Sequence, residues 1–203
     1  MNGTASIRAR RAIPCGMAAN LVRTANGVEV VYIEAVLLPG GVGITVTGQT
    51  GEEMEDRVRA AQGHVWSRAA ELGIHQRLFR RYGLHVHAPA VPADHAAAGL
   101  ALVIALMSLY SGCSVEPDVA ITGEITLTGL VLPVDGVNER IVAARAADFE
   151  KIILPRDNQK DLEKCSAPDG EGLSLVFADR VQDALNAALP RWMKQLAALK
   201  PSL

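Results

Sequence analysis

The chain has 203 residues, 49% of them hydrophobic and 21% charged, with a formal net charge of -2. These values are typical of one globular domain with a sizeable core, and they give no general attraction to nucleic acid, so a nucleic-acid partner is not expected. The apolar runs are too short to cross a bilayer, and three widely spaced cysteines fit a reducing cytoplasm, so we expect a cytoplasmic protein without membrane association.

Residues 1–12 are polar and basic, with three arginines and no acidic residue. We call this segment the basic arm and expect it to be flexible. Two interpretations stay open, namely a frayed terminus without a function and a contact arm for a partner. One domain is expected over residues 13–190, followed by a C-terminal helix or tail over residues 191–203.

Alternating apolar residues predict strands in the first part of the domain. These strands cover residues 18–24, 28–36 and 44–47. Asn26-Gly27 lies between the first two and is a strong signal for a two-residue hairpin turn. Thr50 and Glu53 then match a capping box, which predicts a helix from about residue 52 to residue 72.

His85 and His87 alternate on a predicted strand over residues 84–88, so both side chains point to the same face. Two histidines at this spacing can bind a metal ion, but no Cys, Asp or Glu ligand is patterned nearby. We therefore favour packing and hydrogen bonding for both residues, and we expect no metal site.

An apolar run over residues 96–107 predicts a helix that is buried on all sides, with Asp94 or His95 as its cap. A helix N-terminus carries free N–H groups, and many proteins place a nucleophile or an anion there. This chain places three small side chains at that position: Ala96, Ala97 and Ala98.

The second half of the chain alternates strands with helices. Strands are predicted over residues 119–122, 125–131, 151–155 and 174–178, and helices over residues 138–147, 157–165 and 181–189. This alternation around one core indicates a single α/β or α+β domain in which helices pack on mixed sheets.

Four motifs occur in the order HVHAP, PADHAAAG, DVAITGEITLTGLVLPVDGVNERIVAA and KIILPRDNQKDLE. Together they resemble the proteolytic domain of Lon, the ATP-dependent Ser–Lys protease, from about Ile13 to about Leu189. The resemblance implies the Lon proteolytic-domain fold, a polypeptide ligand and a homo-oligomeric, hexameric ring. The glycine-rich stretch 40–51 lacks a Walker motif, so we expect no cofactor in this chain, with ATP used only through a separate AAA+ ATPase module.

The resemblance places the family's nucleophilic serine on Ala97 and its catalytic lysine on Arg140. Alanine has no hydroxyl group, and arginine stays protonated in proteins, so the pair offers neither a nucleophile nor a base. Removing one member of such a catalytic unit lowers the reaction rate nearly as much as removing the whole unit. The remaining framework positions that the resemblance implies are His85, His87, Asp94, Ala96, Ala98, Thr122, Gly123 and Glu124.

In the family, the threonine at position 122 holds the lysine amine. Arg140 is therefore expected either to donate a hydrogen bond to Thr122 or to turn to solvent. Ala93, His95 and Ala96 also differ from the family pattern, so we favour natural loss of the dyad over deliberate substitution. The groove under Ala97 either persists as a peptide site or is filled by the shortened loop that contains His95.

Three functions are consistent with this sequence. The favoured one is a catalytically inactive Lon-like domain that forms rings or binds peptides. A second is a serine endopeptidase, either a Ser–Lys protease seen here in mutated form or an enzyme that uses Ser108 or Ser111. Both of these serines lie more than two turns beyond the helix N-terminus. A third is a non-proteolytic accessory domain of a RadA-type DNA-repair assembly.

Overall fold

A computed structural model of the chain describes residues 13–48, 52–89, 93–94, 97–162 and 172–199, with only the backbone of residues 93–94 and 199. The basic arm, Thr50, His95 and Ala96 lie outside the described residues. The predicted capping box at Thr50 and the end of the predicted helix over residues 157–165 therefore also lie outside them.

The described residues form ten strands. They are β1 (Met17–Thr24), β2 (Gly27–Pro39), β3 (Ile44–Gly48), β4 (Tyr82–Ala88), β5 (Ala93–Asp94), β6 (Val119–Ile121), β7 (Glu124–Ile125), β8 (Val131–Leu132), β9 (Lys151–Pro155) and β10 (Ser174–Ala178).

Seven α-helices lie among the same described residues. They are α1 (Glu52–Ser67), α2 (Arg77–Arg81), α3 (Gly99–Ser111), α4 (Val137–Ala146), α5 (Gln159–Leu162), α6 (Val181–Ala188) and α7 (Pro190–Leu199). A 3-10 turn, Arg156–Asn158, precedes α5. None of the helices in the described ranges is long and apolar enough to cross a membrane.

The main sheet has the strand order β10-β9-β6-β1-β2-β4-β3, and β5 pairs with β1 outside this path. β2 runs antiparallel to both β1 and β4, whereas β6 and β9 run parallel to their neighbours. β7 and β8 form a separate antiparallel hairpin. The predicted mixed α/β architecture with packed helices is confirmed, and it forms a single domain.

The central helix α3 lies in the core, and every residue from Gly99 to Met107 is buried. One face of the sheet packs against α1, α3 and α6, while the other packs against α4. The predicted all-round burial of α3 is confirmed. The predicted cap at Asp94 or His95 is wrong, because the helix begins at Gly99, has Ala98 at its N-cap and has no side-chain cap bond there.

Three local predictions differ from the structure. The first hairpin turns at Ala25 and Asn26, since Thr24 pairs with Gly27 and the Thr24 hydroxyl accepts the Asn26 N–H at 3.2 Å. Residues 126–130, inside the predicted strand over residues 125–131, form a turn between β7 and β8, in which Gly129, with φ +87°, donates its N–H to the Thr126 carbonyl. Helix α1 ends at Ser67, and irregular turns replace its predicted last residues.

Candidate functional site

The N-terminus of α3 lies beside a groove with a volume of about 520 Å³. Ala97, residues 133–140, Asn158 and Asp161 line this groove. Ala97 is buried, with 1% of its surface exposed. The structure therefore brings Ala97 and Arg140 into one groove, although 43 positions of sequence separate them.

Arg140 belongs to the first turns of α4, which begins after Gly136 in a left-handed conformation with φ +69°. Its side chain is only 1% exposed. Nε donates a hydrogen bond to the Asp135 carbonyl at 3.1 Å, and Nη1 donates to the Leu21 carbonyl. The guanidinium thus joins β1 to the loop that precedes α4.

Both predicted positions of the Arg140 side chain are wrong. Burial excludes the alternative in which it turns to solvent. The Thr122 hydroxyl is also buried and has no hydrogen-bond partner among the described residues, so it does not receive the guanidinium. The Arg140 guanidinium instead donates hydrogen bonds to two backbone carbonyls. The spacing of residues along the sequence does not predict these contacts.

Glu124 lies beside the first turn of α3 and is not among the groove-lining residues. Its carboxylate accepts the N–H of Ile125 at 2.9 Å and the N–H of Gly99, and Arg57 Nε donates to it at 3.1 Å. Burial raises the pKa of the Glu124 carboxyl, although these donors partly oppose the shift. A Cβ at position 99 would overlap the carboxylate, so a larger residue there would displace the Glu124 side chain.

Two backbone donors at the start of α3 already have partners within the protein. Gly99 donates to Glu124, and Leu100 donates to the Gly123 carbonyl at 3.1 Å. An anion at a helix N-terminus stabilises the helix through both hydrogen bonding and the helix dipole. Glu124 fills this role, and Gly123 supports it through its backbone. The sequence offered no signal for the contact because 25 positions separate Gly99 from Glu124.

Asn158 holds one wall of the groove, and sequence reasoning missed this role. The side chain is 3% exposed; Oδ1 accepts the Val134 N–H at 2.9 Å, and Nδ2 donates to the Val134 carbonyl at 2.8 Å. Nδ2 also donates to Asp161 Oδ2 at 2.8 Å. The paired bonds to Val134 imitate a strand pairing and fix the loop that carries Asp135.

His85 and His87 lie on β4 and share the hydroxyl of Thr47, which lies on β3. The distances from Thr47 Oγ1 are 2.9 Å to His85 Nε2 and 3.0 Å to His87 Nδ1. Both imidazoles therefore face the same side of the sheet, as their alternation predicted. Neither histidine lines the groove under Ala97.

Ser108 and Ser111 lie at the other end of α3. The Ser108 hydroxyl donates to the Cys113 carbonyl at 2.6 Å and accepts the Gly16 N–H at 3.0 Å. Ser111 Oγ donates to the Ser108 carbonyl at 3.3 Å. These bonds give both hydroxyls structural roles, and neither residue lines the groove under Ala97.

Comparison with known proteins identifies Lon proteases as relatives of this chain. The family model of the Lon protease (S16) C-terminal proteolytic domain matches residues 5–191. The chain is 43% identical over 183 residues to the Lon protease of Nitrosococcus oceani, which covers 89% of this chain and 24% of that protein.

Two further relatives are the Lon proteases of Methylocella silvestris and Anaeromyxobacter dehalogenans. The first is 42% identical over 181 residues, covering 88% of this chain and 22% of the relative. The second is 40% identical over 198 residues, covering 95% of this chain and 24% of the relative. The chain therefore spans about a quarter of the length of the curated relatives it matches.

Proposed function

The chain belongs to the Lon protease C-terminal proteolytic-domain family, and we propose that it is a non-catalytic member that binds polypeptide in the groove under Ala97. The observation that carries this proposal is the set of hydrogen bonds that Arg140 makes. A base for acyl transfer must be an unprotonated group within reach of the nucleophile. Arg140 is a guanidinium held between two backbone carbonyls, beside an alanine.

The bonds of Arg140 support a change of role from base to structural cross-link. A guanidinium presents donors in a fixed planar fork, which suits the two carbonyls of Leu21 and Asp135 better than a single ammonium does. The unpaired hydroxyl of Thr122 fits the same interpretation, because the family resemblance assigns this threonine to a lysine amine. Arg140 leaves the hydroxyl without that partner.

The groove itself supports the binding part of the proposal. Its volume of about 520 Å³ is in the range of ligand pockets in proteins, roughly 300–1,000 Å³. Arg140 and Asn158 fix its walls through backbone contacts, so the groove has a defined shape without any bound molecule. We propose that an extended peptide lies along the loop 133–136.

The exposed carboxylates of Asp135 and Glu139 give the groove an acidic rim, and the adjacent Arg140 is buried. A peptide with basic side chains is therefore favoured over an acidic one by simple charge complementarity. We also propose that the domain forms a closed hexameric ring and works with a separate ATPase module in the cytoplasm.

Chemical-shift mapping with two peptide pools tests the binding proposal. One pool is lysine-rich, and the other has glutamate at the same positions. We expect shifts on Ala97–Gly99 and residues 133–140 with the basic pool, and weaker shifts with the acidic pool. The double variant Asp135→Asn with Glu139→Gln should reduce binding, whereas Glu71→Gln, outside the groove, should not. Shifts confined to residues outside the groove would contradict the proposal.

A further inference from the structure

One carboxylate in the groove under Ala97 is held in place by a buried side chain. Asp161 lines the groove and belongs to α5, which directly follows the 3-10 turn that ends at Asn158. Asn158 is 3% exposed, and its Nδ2 donates to Asp161 Oδ2 at 2.8 Å. The same amide also accepts the Val134 N–H and donates to the Val134 carbonyl, so turning it away would break all of these bonds. The Asp161 carboxylate therefore has a defined position in the groove.

This carboxylate has no basic partner among the described residues. Asp161 forms no ion pair with any of them. Of the described residues that line the groove, Arg140 alone is basic, and its guanidinium donates to the backbone carbonyls of Asp135 and Leu21. Asp135 and Glu139 are exposed, whereas Asp161 is half-buried, so water screens the Asp161 charge less. A carboxylate in this position favours a ligand that brings a positive charge.

The bond from Asn158 determines which cation fits. It occupies part of the Oδ2 atom of Asp161 and leaves Oδ1 without a partner among the described residues. A guanidinium binds a carboxylate best through two parallel N–H···O bonds, one to each oxygen. A lysine ammonium is a compact point charge and needs only one oxygen. The carboxylate therefore suits lysine better than arginine.

The apolar part of the groove suits the carbon chain of the same side chain. Four small or apolar residues share the groove with Asp161, namely Ala97, Pro133, Val134 and Val137. A lysine packs its carbon chain along apolar surface while its ammonium reaches a polar group. The wall and the carboxylate together fit an unbranched side chain that ends in a positive charge.

We propose that Asp161 selects a lysine of the bound polypeptide, with the lysine ammonium donating to Oδ1. This inference rests on the proposed function. It adds a requirement for lysine at one position of the peptide to the general attraction of the acidic rim. Asn158 is then a positioning residue, because it acts through Asp161.

Titration of the isotope-labelled full chain with three capped peptides tests this inference. Each peptide is an alternating valine and threonine host with one variable central residue, which is lysine, arginine or norleucine. Norleucine keeps the unbranched carbon chain and lacks the charge. We expect the norleucine peptide to bind about tenfold more weakly than the lysine peptide, as for the loss of one hydrogen bond to a charged group, with arginine in between. The lysine peptide should also shift the signals of the Asn158 side-chain amide, and the norleucine peptide should not.

Asp161→Asn is the critical variant, because its side-chain carbonyl can still accept the bond from Asn158 while the charge is lost. It should weaken binding of the lysine peptide about tenfold and leave binding of the norleucine peptide unchanged. The matched control is Asp157→Asn, which removes the same charge from an exposed residue that does not line the groove. It should change neither affinity. Thermal unfolding midpoints show whether both variants are folded, and the comparison of peptides on the wild type needs no variant.

The possible outcomes separate this inference from the proposed function. Equal binding of the lysine and norleucine peptides, with shifts on residues 133–140, would overturn selection by Asp161 and leave the proposed function intact. Shifts absent from these residues with every peptide would overturn both. Equal losses from Asp161→Asn and Asp157→Asn would also overturn selection by Asp161, because the effect would then come from net charge alone.

Discussion

The polar groups at the two ends of α3 differ in their hydrogen bonding. At the C-terminal end, the Ser108 hydroxyl both donates and accepts, joining the Gly16 amide to the Cys113 carbonyl. At the N-terminal end, the Glu124 carboxylate accepts hydrogen bonds from backbone N–H groups, and the Arg140 guanidinium donates to a backbone carbonyl. The Thr122 hydroxyl, nearby in sequence to Glu124, is buried without a partner among the described residues. Unpaired polar groups are typical of functional sites rather than of pure scaffolding. The comparison therefore supports the proposal that the N-terminal end of α3 belongs to a binding site.

The largest expected effect comes from Arg140→Ala. It removes two charge-assisted hydrogen bonds of about 1.5–3 kcal/mol each and leaves space in a close-packed region, so we expect a loss of roughly 3–5 kcal/mol in unfolding free energy. Urea unfolding measures the loss. Glu139→Ala on the same helix is exposed and should change stability by less than about 0.5 kcal/mol. Equal effects of the two substitutions would show that the guanidinium does not join β1 to the loop.

Ser108→Ala examines the other end of α3. It leaves the Gly16 N–H and the Cys113 carbonyl without their partner, which should cost about 1–3 kcal/mol. Ser111→Ala loses two longer hydrogen bonds, to the Ser108 carbonyl and from the Cys113 N–H, both at 3.3 Å. Because Ser111 is only partly buried, whereas Ser108 is fully buried, the substitution should cost clearly less. Thermal unfolding of the two variants side by side gives the ranking, and the reverse order would contradict a structural role for Ser108.

Acid should loosen the contact between α1 and the hairpin β7–β8. Burial lowers the pKa of the His64 imidazole from 6.5, against a smaller opposing effect of its hydrogen bond to the Leu127 carbonyl. The unfolded chain then binds the proton more readily, so stability is full above about pH 6.5 and falls as pH drops through the lower folded pKa. His64→Gln should flatten this part of the stability curve, and the exposed His75→Gln should not. An unchanged curve for His64→Gln would refute the assignment.

Thr122→Val gives the smallest expected effect. Removing a buried hydroxyl that has no partner relieves a desolvation cost, so stability should stay within about 1 kcal/mol of the wild type or rise. Calorimetry with Thr126→Val as a comparison makes the test sharper, because the Thr126 hydroxyl accepts the Leu130 N–H at 3.1 Å. A large loss at position 122 would mean that the hydroxyl is paired, and the contrast between the two ends of α3 would fail.

Local chemistry made much of the fold predictable. The predicted strands over residues 151–155 and 174–178 match β9 and β10, because each is a short apolar run with β-branched residues. The predicted strand over residues 125–131 failed because Gly129 forms a turn inside an apolar run. Apolar alternation shows burial but does not show where a chain reverses.

The site was predictable only in part, for a related reason. The family resemblance identified Ala97 and Arg140, and the structure places them in one groove. The contacts of Asn158 with Val134 and of Glu124 with Gly99 cross about 25 positions and follow no helix or strand period. Such contacts depend on how the sheet and α3 pack, so no pattern along the chain could reveal them.

Peptide hydrolysis by the purified chain tests the proposed lack of catalysis most directly. Casein and small peptide esters should be left intact over long incubation, and Ala97→Ser with Arg140→Lys should restore little or no turnover. The reason is geometric, because a misplacement of about 1 Å can cost on the order of a hundred-fold in rate, and the residues around the dyad have changed as well. As a matched control, Ser108→Ala removes a serine that does not line the groove under Ala97. Two results together would contradict a non-catalytic domain. The unaltered chain would hydrolyse peptide in a reaction that a serine-directed reagent stops, and the activity would disappear in a serine variant of this protein.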